Sequence, residues 1–250
     1  MHLFAEMNRV QLRAATESLV ILPIGATEQH GPHLPTGTDF FTVESLAREA
    51  AAKLPDDVPA IVTPTLPFGS SQHHFLFGAT LSLSTETYYK VLYDLLESLV
   101  TDGFKRIFLL NGHGGNHELA QLAARDIPLR HPVHVAAASY WTAAWNDLIA
   151  IDAHRGRRLP GHAGDFETSI VMSLRPELVP SGRPHRDGPF ETDPAGFHPS
   201  VRTELHGAWR SIDGYTDSPD LGTADRGVAL RAAIVKGLVR AFADFYRAAL

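Results

Sequence analysis

Carboxylate and imidazole side chains crowd one glycine- and proline-rich stretch near the start of the chain, LPIGATEQHGPHLPTGTD over residues 22–39. Glu28 and His30 are two apart, so in an extended segment both leave the backbone on the same side. His33 follows in the same loop, and Asp39 returns nine residues after His30, where a helical pattern begins. A carboxylate, an imidazole and a second carboxylate on one loop suit a divalent metal such as zinc or manganese. The competing reading is a polar turn in which histidine and aspartate merely cap the next helix, because Glu-x-His is a short pattern.

Three more clusters could contribute chemistry. NGHGGN over 111–116 leaves His113 on an open turn, where backbone N–H groups of Gly114 and Gly115 could face an anion or a developing oxyanion. The same glycines would equally suit a tight structural turn. PTLPFGSSQHHFLFGAT over 64–80 carries His73 and His74 and is too aromatic for a linker. In HAGDFETS over 162–169, Asp165 reads as a carboxylate at the positive end of a helix. His162 and Glu167 gain chemical meaning only if they reach the metal loops. Trp141 and Trp145 are assigned to the core or the pocket wall, and the remaining histidines to the surface or to supporting positions.

These side chains need a scaffold, and the hydrophobic pattern supplies one. Short β-branched runs at 19–24, 60–63, 107–110 and 132–138 read as buried strands. Between and after them lie helical patterns at 40–54, 84–102, from 117, near 142–152, up to 174 and from 223 to the end. Ser84 is the expected N-cap of the second helix, whose apolar stripe is Tyr88, Val91, Leu95 and Leu99. Strands alternating with helices predict an α/β fold with a mainly parallel sheet covered on both faces, in one domain spanning 1–250. Ligands of such sheets bind beyond the carboxyl ends of the strands. The Glu28/His30/Asp39, His73/His74 and His113 clusters each follow a strand and so converge there. Residues 180–223 lack periodicity, and a structureless stretch of that length needs a function or a packing partner.

Composition narrows the field. The chain has no cysteine, which excludes thiolate ligands and a cysteine nucleophile. A net charge of -6 argues against a binder of nucleic-acid backbones. No apolar run of membrane-spanning or signal-peptide length occurs, so a cytoplasmic protein without a membrane partner is expected.

IGATEQHGPHLPTGTD, NGHGGN and GHAGDFETS, in this order, resemble the creatininase (creatinine amidohydrolase) family from about Leu19 to Val179, and GYTDSPDLGTADRG resembles its closing motif. The resemblance implies a three-layer α/β/α sandwich and a metal-dependent hydrolase of a small-molecule amide, whether cyclic amide, formamide or peptide-like. It further implies one or two divalent ions, zinc or manganese, with iron in some relatives. By motif position Glu28, His30, Asp39 and His113 are metal ligands with Asp39 as the bridge, His162 is the catalytic histidine, and Glu167 lies at the metal centre. Gly114, Gly115, His73, His74 and Trp141 are then expected to contact substrate. Members form homo-oligomers, commonly hexameric rings, which would give 180–223 something to pack against. In the expected mechanism a metal-activated water attacks the carbonyl, and His162 or Glu167 moves the proton to the leaving nitrogen.

One departure matters. Creatininase itself reads His-Tyr-Glu-Asn where this chain has His113-Gly114-Gly115-Asn116. A carboxylate ligand is therefore missing, and Glu167 is the candidate to replace it both as ligand and as acid/base. The Gly-Gly loop looks more like relatives that deformylate formamidopyrimidine nucleotides or cleave a peptide in mycofactocin maturation. The alternative function is a non-catalytic ligand-binding protein with a vestigial metal site.

Overall fold

The apolar runs form a single sheet in the computed structural model, which describes residues 1–155, 159–186 and 206–248. Its strands are β1 (His2–Leu3), β2 (Leu19–Ile24), β3 (Ala60–Val62), β4 (Arg106–Asn111) and β5 (His134–Ser139). They lie in the order β1-β3-β2-β4-β5, and every ladder is parallel. Along the two central strands the side chains alternate between faces, as the pleat requires. Leu19, Ile21, Phe108 and Leu110 enter one core, whereas Val20, Leu22, Ile24, Ile107 and Leu109 enter the other. A strand covered on both faces must be apolar at every position, and all six residues of β2 are buried.

Helices cover both faces. The first layer contains α2 (Thr38–Ala52), α5 (Tyr140–Ala143), α6 (Trp145–Ala150), α7 (Asp165–Leu174) and α9 (Ala224–Arg247). The second contains α3 (Thr85–Thr101) and α4 (His117–Asp126), with α1 (Arg9–Ala14) packed against it through Leu12. A four-residue helix, α8 (Ala208–Ser211), stands outside these layers in sequence. The expected three-layer α/β/α sandwich is therefore the fold. Ser84 caps α3 as anticipated, its Oγ accepting from the Thr87 N–H at 3.3 Å. The apolar stripe of that helix is corrected: it runs through Tyr88, Leu92, Leu96 and Leu99, leaving Leu95 exposed. The edge strand β1 and α1 were not anticipated, and the helix expected over 142–152 is split into α5 and α6. Arg157, Arg158 and residues 187–205 lie outside the described residues. Among the described residues no helix is long and apolar enough to cross a membrane.

The strand order creates the site. β2 leads to α2 in the first layer, while its neighbour β4 leads to α4 in the second. The two loops therefore part to opposite faces and leave a crevice beyond the carboxyl ends of the strands.

Candidate metal centre

The loop after β2 delivers Glu28 and His30 into this crevice, held by the Glu28 N–H donating to the Thr36 carbonyl at 3.0 Å. Asp39 is the second residue of α2, so its carboxylate meets the positive end of that helix. Gly112 lets α2 approach: a Cβ there would stand 2.8 Å from Val43 Cβ and 3.0 Å from the Asp39 carbonyl oxygen. His113 follows directly and turns into the same space. Glu167 comes from the first turn of α7, with its Oε2 accepting from the Ala163 N–H at 2.5 Å.

Asp39 faces both ways. Its Oδ1 lies 3.2 Å from His30 Nε2, and its Oδ2 lies 3.1 Å from His113 Nδ1. On the first side Glu167 Oε2 is 3.8 Å from His30 Nε2, and on the second Glu28 Oε1 is 3.2 Å from His113 Nδ1. Ligand atoms of His30, Asp39 and Glu167 all fall within 4.8 Å of one another. All five side chains are buried, and among the described residues no lysine or arginine pairs with the three carboxylates.

Whether a divalent ion fits is answered by what surrounds the carboxylates. Both Glu28 oxygens and Asp39 Oδ2 are buried without a well-directed hydrogen bond, and imidazole nitrogens of His74, His113 and His162 stand 3.1–3.7 Å from Glu28 Oε1 or Asp39 Oδ2. A buried carboxylate in that condition is costly unless a charge compensates it. The donors are imidazole nitrogen and carboxylate oxygen without sulfur, a set suited to zinc or manganese. The remaining nitrogen of each candidate ligand histidine is held from outside, the usual arrangement around a metal. His30 Nδ1 lies 3.1 Å from the Glu28 carbonyl oxygen, and His113 Nε2 lies 3.1 Å from both the Ser70 carbonyl oxygen and Ser71 Oγ.

Electrostatics agree. Burial alone would lower the His30 pKa, but the carboxylates of Asp39, Glu167 and Glu28 outweigh it and raise it to about 10. His113 is likewise lifted well above its ordinary value against the effect of burial, by Glu28 and Asp39. Glu167 is pushed up to about 8 by burial and by repulsion from Asp39 and Glu28, despite the opposing pull of His30. Glu28 is held well below the usual range in spite of its burial by His113, His74 and His162. Protons on His30 and His113 thus occupy the role of cation, and an ion bound there would have to displace them.

His162 is set differently. Its Nε2 lies 3.0 Å from the Gln29 carbonyl oxygen, which assigns a proton to that nitrogen. The other nitrogen, Nδ1, faces Glu28 Oε1 at 3.7 Å. Burial, reinforced by the neighbouring imidazoles of His30 and His74, drives its pKa well down, so the ring is neutral with a lone pair turned to the centre. His74 is buried beside it, and burial chiefly lowers its pKa to about 3. His74 Nδ1 is 2.9 Å from the Gln29 side-chain amide nitrogen, and Nε2 is 3.4 Å from Glu28 Oε1. His73 and Gly114 are exposed at the mouth, and Gly115 is half-buried.

The structure therefore brings together Glu28, His30, Asp39, His113, His162 and Glu167, with His73, His74, Gly114 and Gly115 at their rim. Trp141 does not join them: it packs in the first-layer core, edge-on to Tyr140 at 4.9 Å, and the expectation that it lines the pocket is corrected. The indole at the site is Trp209 of α8, 4.6 Å from the His74 ring, 5.2 Å from His162 and 5.7 Å from His73. Asp165 is a structural residue, pairing with Arg226 at 3.2 Å and Arg155 at 3.3 Å, while Asp217 accepts from its N–H at 2.6 Å. Gln29 was also passed over, although its side-chain amide nitrogen stands 2.9 Å from His74 Nδ1 and 3.1 Å from His162 Nε2. The same nitrogen reaches the Gly214 carbonyl at 3.0 Å, and Oε1 accepts from the Gly31 N–H at 2.9 Å.

Comparison with known proteins supplies a context. Residues 5–242 match a family model described as creatinine amidohydrolase (creatininase). The chain is 32% identical over 235 residues to the mycofactocin precursor peptide peptidase of Mycobacterium tuberculosis, covering 90% of this chain and 85% of that one. It is 28% identical over 204 residues to the 3-dehydro-scyllo-inosose hydrolase of Thermotoga maritima, covering 80% of this chain and 63% of that one. A crystal structure of creatinine amidohydrolase superposes with a TM-score of 0.79 at 25% identity, covering 99% of this chain and 98% of that one.

Proposed function

This chain belongs to the creatininase family, and on that premise we propose that it is a divalent-metal-dependent hydrolase of a carbon–nitrogen amide bond. The observation that carries the reading is the set of three buried carboxylates around Asp39 that face imidazole nitrogens and, among the described residues, no lysine or arginine. His30, Asp39 and Glu167 would hold one ion, and Glu28, Asp39 and His113 a second, with zinc or manganese suited to both. When bound, the ions supply Lewis-acid activation of a water and of the amide carbonyl.

The chain's own residues complete the reaction. His162, neutral and with Nδ1 turned inward, accepts a proton from the attacking water. Oxygen bonds to the carbonyl carbon, the carbon–nitrogen bond breaks, and the same proton passes to the departing nitrogen, giving a carboxylic acid and an amine. Backbone N–H groups of Gly114 and Gly115 are the candidate donors to the oxyanion. His73, His74 and Trp209 wall the approach, and the exposed mouth at His73 and Gly114 suits a substrate larger than creatinine. A peptide-like amide is favoured by the likeness to the mycobacterial peptidase. The same reading expects a cytoplasmic homo-oligomer, six copies in the ring form, which light scattering would measure.

The test is metal content by elemental analysis of the purified protein, set beside Asp39→Ala, followed by a screen of formamides, cyclic amides and peptides. Near-stoichiometric metal that is lost in the variant, with turnover of one amide class, is the expected result. A protein that takes up no ion on reconstitution would reject the hydrolase in favour of a binding protein.

A further inference from the structure

Beside Glu28 stand two buried side chains outside the candidate ligand set, His74 and Gln29. The orientation of the Gln29 amide is fixed at both ends. Its Oε1 accepts from the Gly31 N–H at 2.9 Å, and its Nε2 donates to the Gly214 carbonyl at 3.0 Å. A flipped amide would set oxygen against oxygen at Gly214 and N–H against N–H at Gly31, so one orientation satisfies both. Gly214 has to be glycine for this contact: its φ is +72°, and a Cβ there would stand 2.6 Å from Gln29 Oε1.

The amide has two hydrogens. One goes to Gly214, and the second points to His74 Nδ1 at 2.9 Å. His162 Nε2 at 3.1 Å does not compete, because its own proton goes to the Gln29 carbonyl at 3.0 Å. His74 Nδ1 is therefore an acceptor, and the ring proton sits on Nε2, 3.4 Å from Glu28 Oε1. Neither of those two atoms has a well-directed hydrogen bond elsewhere. Two other imidazole nitrogens face the same oxygen, His113 Nδ1 at 3.2 Å and His162 Nδ1 at 3.7 Å. The first would be given to an ion, and the second carries a lone pair. Among the described residues, His74 Nε2–H is left as the donor that can steady Glu28 Oε1.

We propose that Gln29 and His74 form a relay of hydrogen bonds that orients the Glu28 carboxylate for an ion, Gln29 setting the tautomer of His74 and His74 donating to Glu28. Both are positioning residues, and the inference rests on the metal-dependent reading above. Gln29→Met removes the donor at similar length, and His74→Phe removes both nitrogens but keeps a ring. His74→Gln replaces the imidazole by an amide that can donate where Nε2–H stood. Circular dichroism verifies the fold of all three.

Ion-free protein with isotope-labelled histidine is read by long-range proton–nitrogen NMR correlation, His74 being identified by the signals missing in His74→Phe. Zinc is then titrated by calorimetry. His74 is expected as the Nε2–H tautomer in the parent and as a mixture of tautomers in Gln29→Met. One zinc-binding step is expected to weaken about tenfold or more in Gln29→Met and His74→Phe, with the other unchanged and His74→Gln closer to the parent. A parent spectrum with the proton on His74 Nδ1 overturns this inference alone. So do folded Gln29→Met and His74→Phe proteins that keep parent affinity at every step. Equal weakening of both steps in every variant overturns it too, making the pair a structural support only. A parent that takes up no zinc removes the metal-dependent reading, and the relay with it.

Discussion

Alanine at position 115 is expected to damage the centre although it adds a single methyl group. Its Cβ would stand 2.1 Å from the Ser70 carbonyl oxygen and 2.6 Å from His113 Nε2. Ordinary carbon–oxygen contacts begin near ~3.3 Å, so the carbonyl must retreat by roughly 1.2 Å. That carbonyl lies 3.1 Å from His113 Nε2, and such a retreat exceeds the reach of the bond. Overpacking costs about 1–3 kcal/mol and the lost hydrogen bond about 1 kcal/mol, together about 2–4 kcal/mol. For a chain of this size Tm should fall by roughly 4–16 °C. His113 loses an orienting partner, so metal affinity should drop about 10–100-fold. Differential scanning calorimetry and zinc titration measure both quantities. Gly115→Glu is the sharper test, because it puts back the glutamate of creatininase. It shares the same Cβ and is expected to fare no better. A Gly115→Glu protein that melts at the parent temperature and binds metal more tightly would refute the reasoning, since the space would have proved open.

Asp165→Asn should weaken the pairing with Arg226, in which the two side chains are 5% and 10% exposed, and lower stability by about 3 kcal/mol while metal content stays at the parent level; loss of metal would make Asp165 part of the centre. Leu238→Ala opens the first-layer core at a fully buried position of α9, and should cost about 2–5 kcal/mol in denaturant unfolding at unchanged m-value. The ion-free protein should lose stability as pH rises from about 6.5 to about 10. Below about pH 6.5 the unfolded chain protonates His33, His74 and His162, which the fold keeps neutral. Above it Glu167 holds its proton to about 8 and His30 to about 10, so the folded state binds more protons than the unfolded one only from about pH 6.5 to about 10. Saturating zinc should flatten that slope, and chemical denaturation across pH with chelator or zinc would show it; an ion-free protein that gains stability over this range contradicts the assigned environment.

The candidate ligands could be picked out because metal chemistry restricts residue types, and four of them sit in two short motifs that follow strands. The sheet was legible for a related reason: strands buried on both faces are apolar throughout, and β2 and β4 could hardly be read otherwise. What escaped the sequence depends on distant contacts. Gln29 meets Gly214 across 185 positions, and Trp209 meets His74 from a four-residue helix too short to show periodicity. Trp141 read equally as core or pocket wall, and its side chain turns into the first-layer core. On α3, Leu95 and Leu96 are equally apolar, and only the packing against α4 selects which of them is covered. A two-residue edge strand such as β1 offers no pattern at all.

The divergence of the loops after β2 and β4 has a mechanical side. Asp39 belongs to the helix layer on one face of the sheet, and His113 leads into the layer on the other. A cation gripped by both is a rivet through the edge of the sandwich, resisting any sliding of one layer past the other. Loading should therefore slow amide hydrogen exchange in the opening turns of α2 and α4 together, although the two helices lie on opposite faces. Ions of different radius would set slightly different offsets between the layers, so the width of the substrate mouth becomes a property of the metal as well as of the chain.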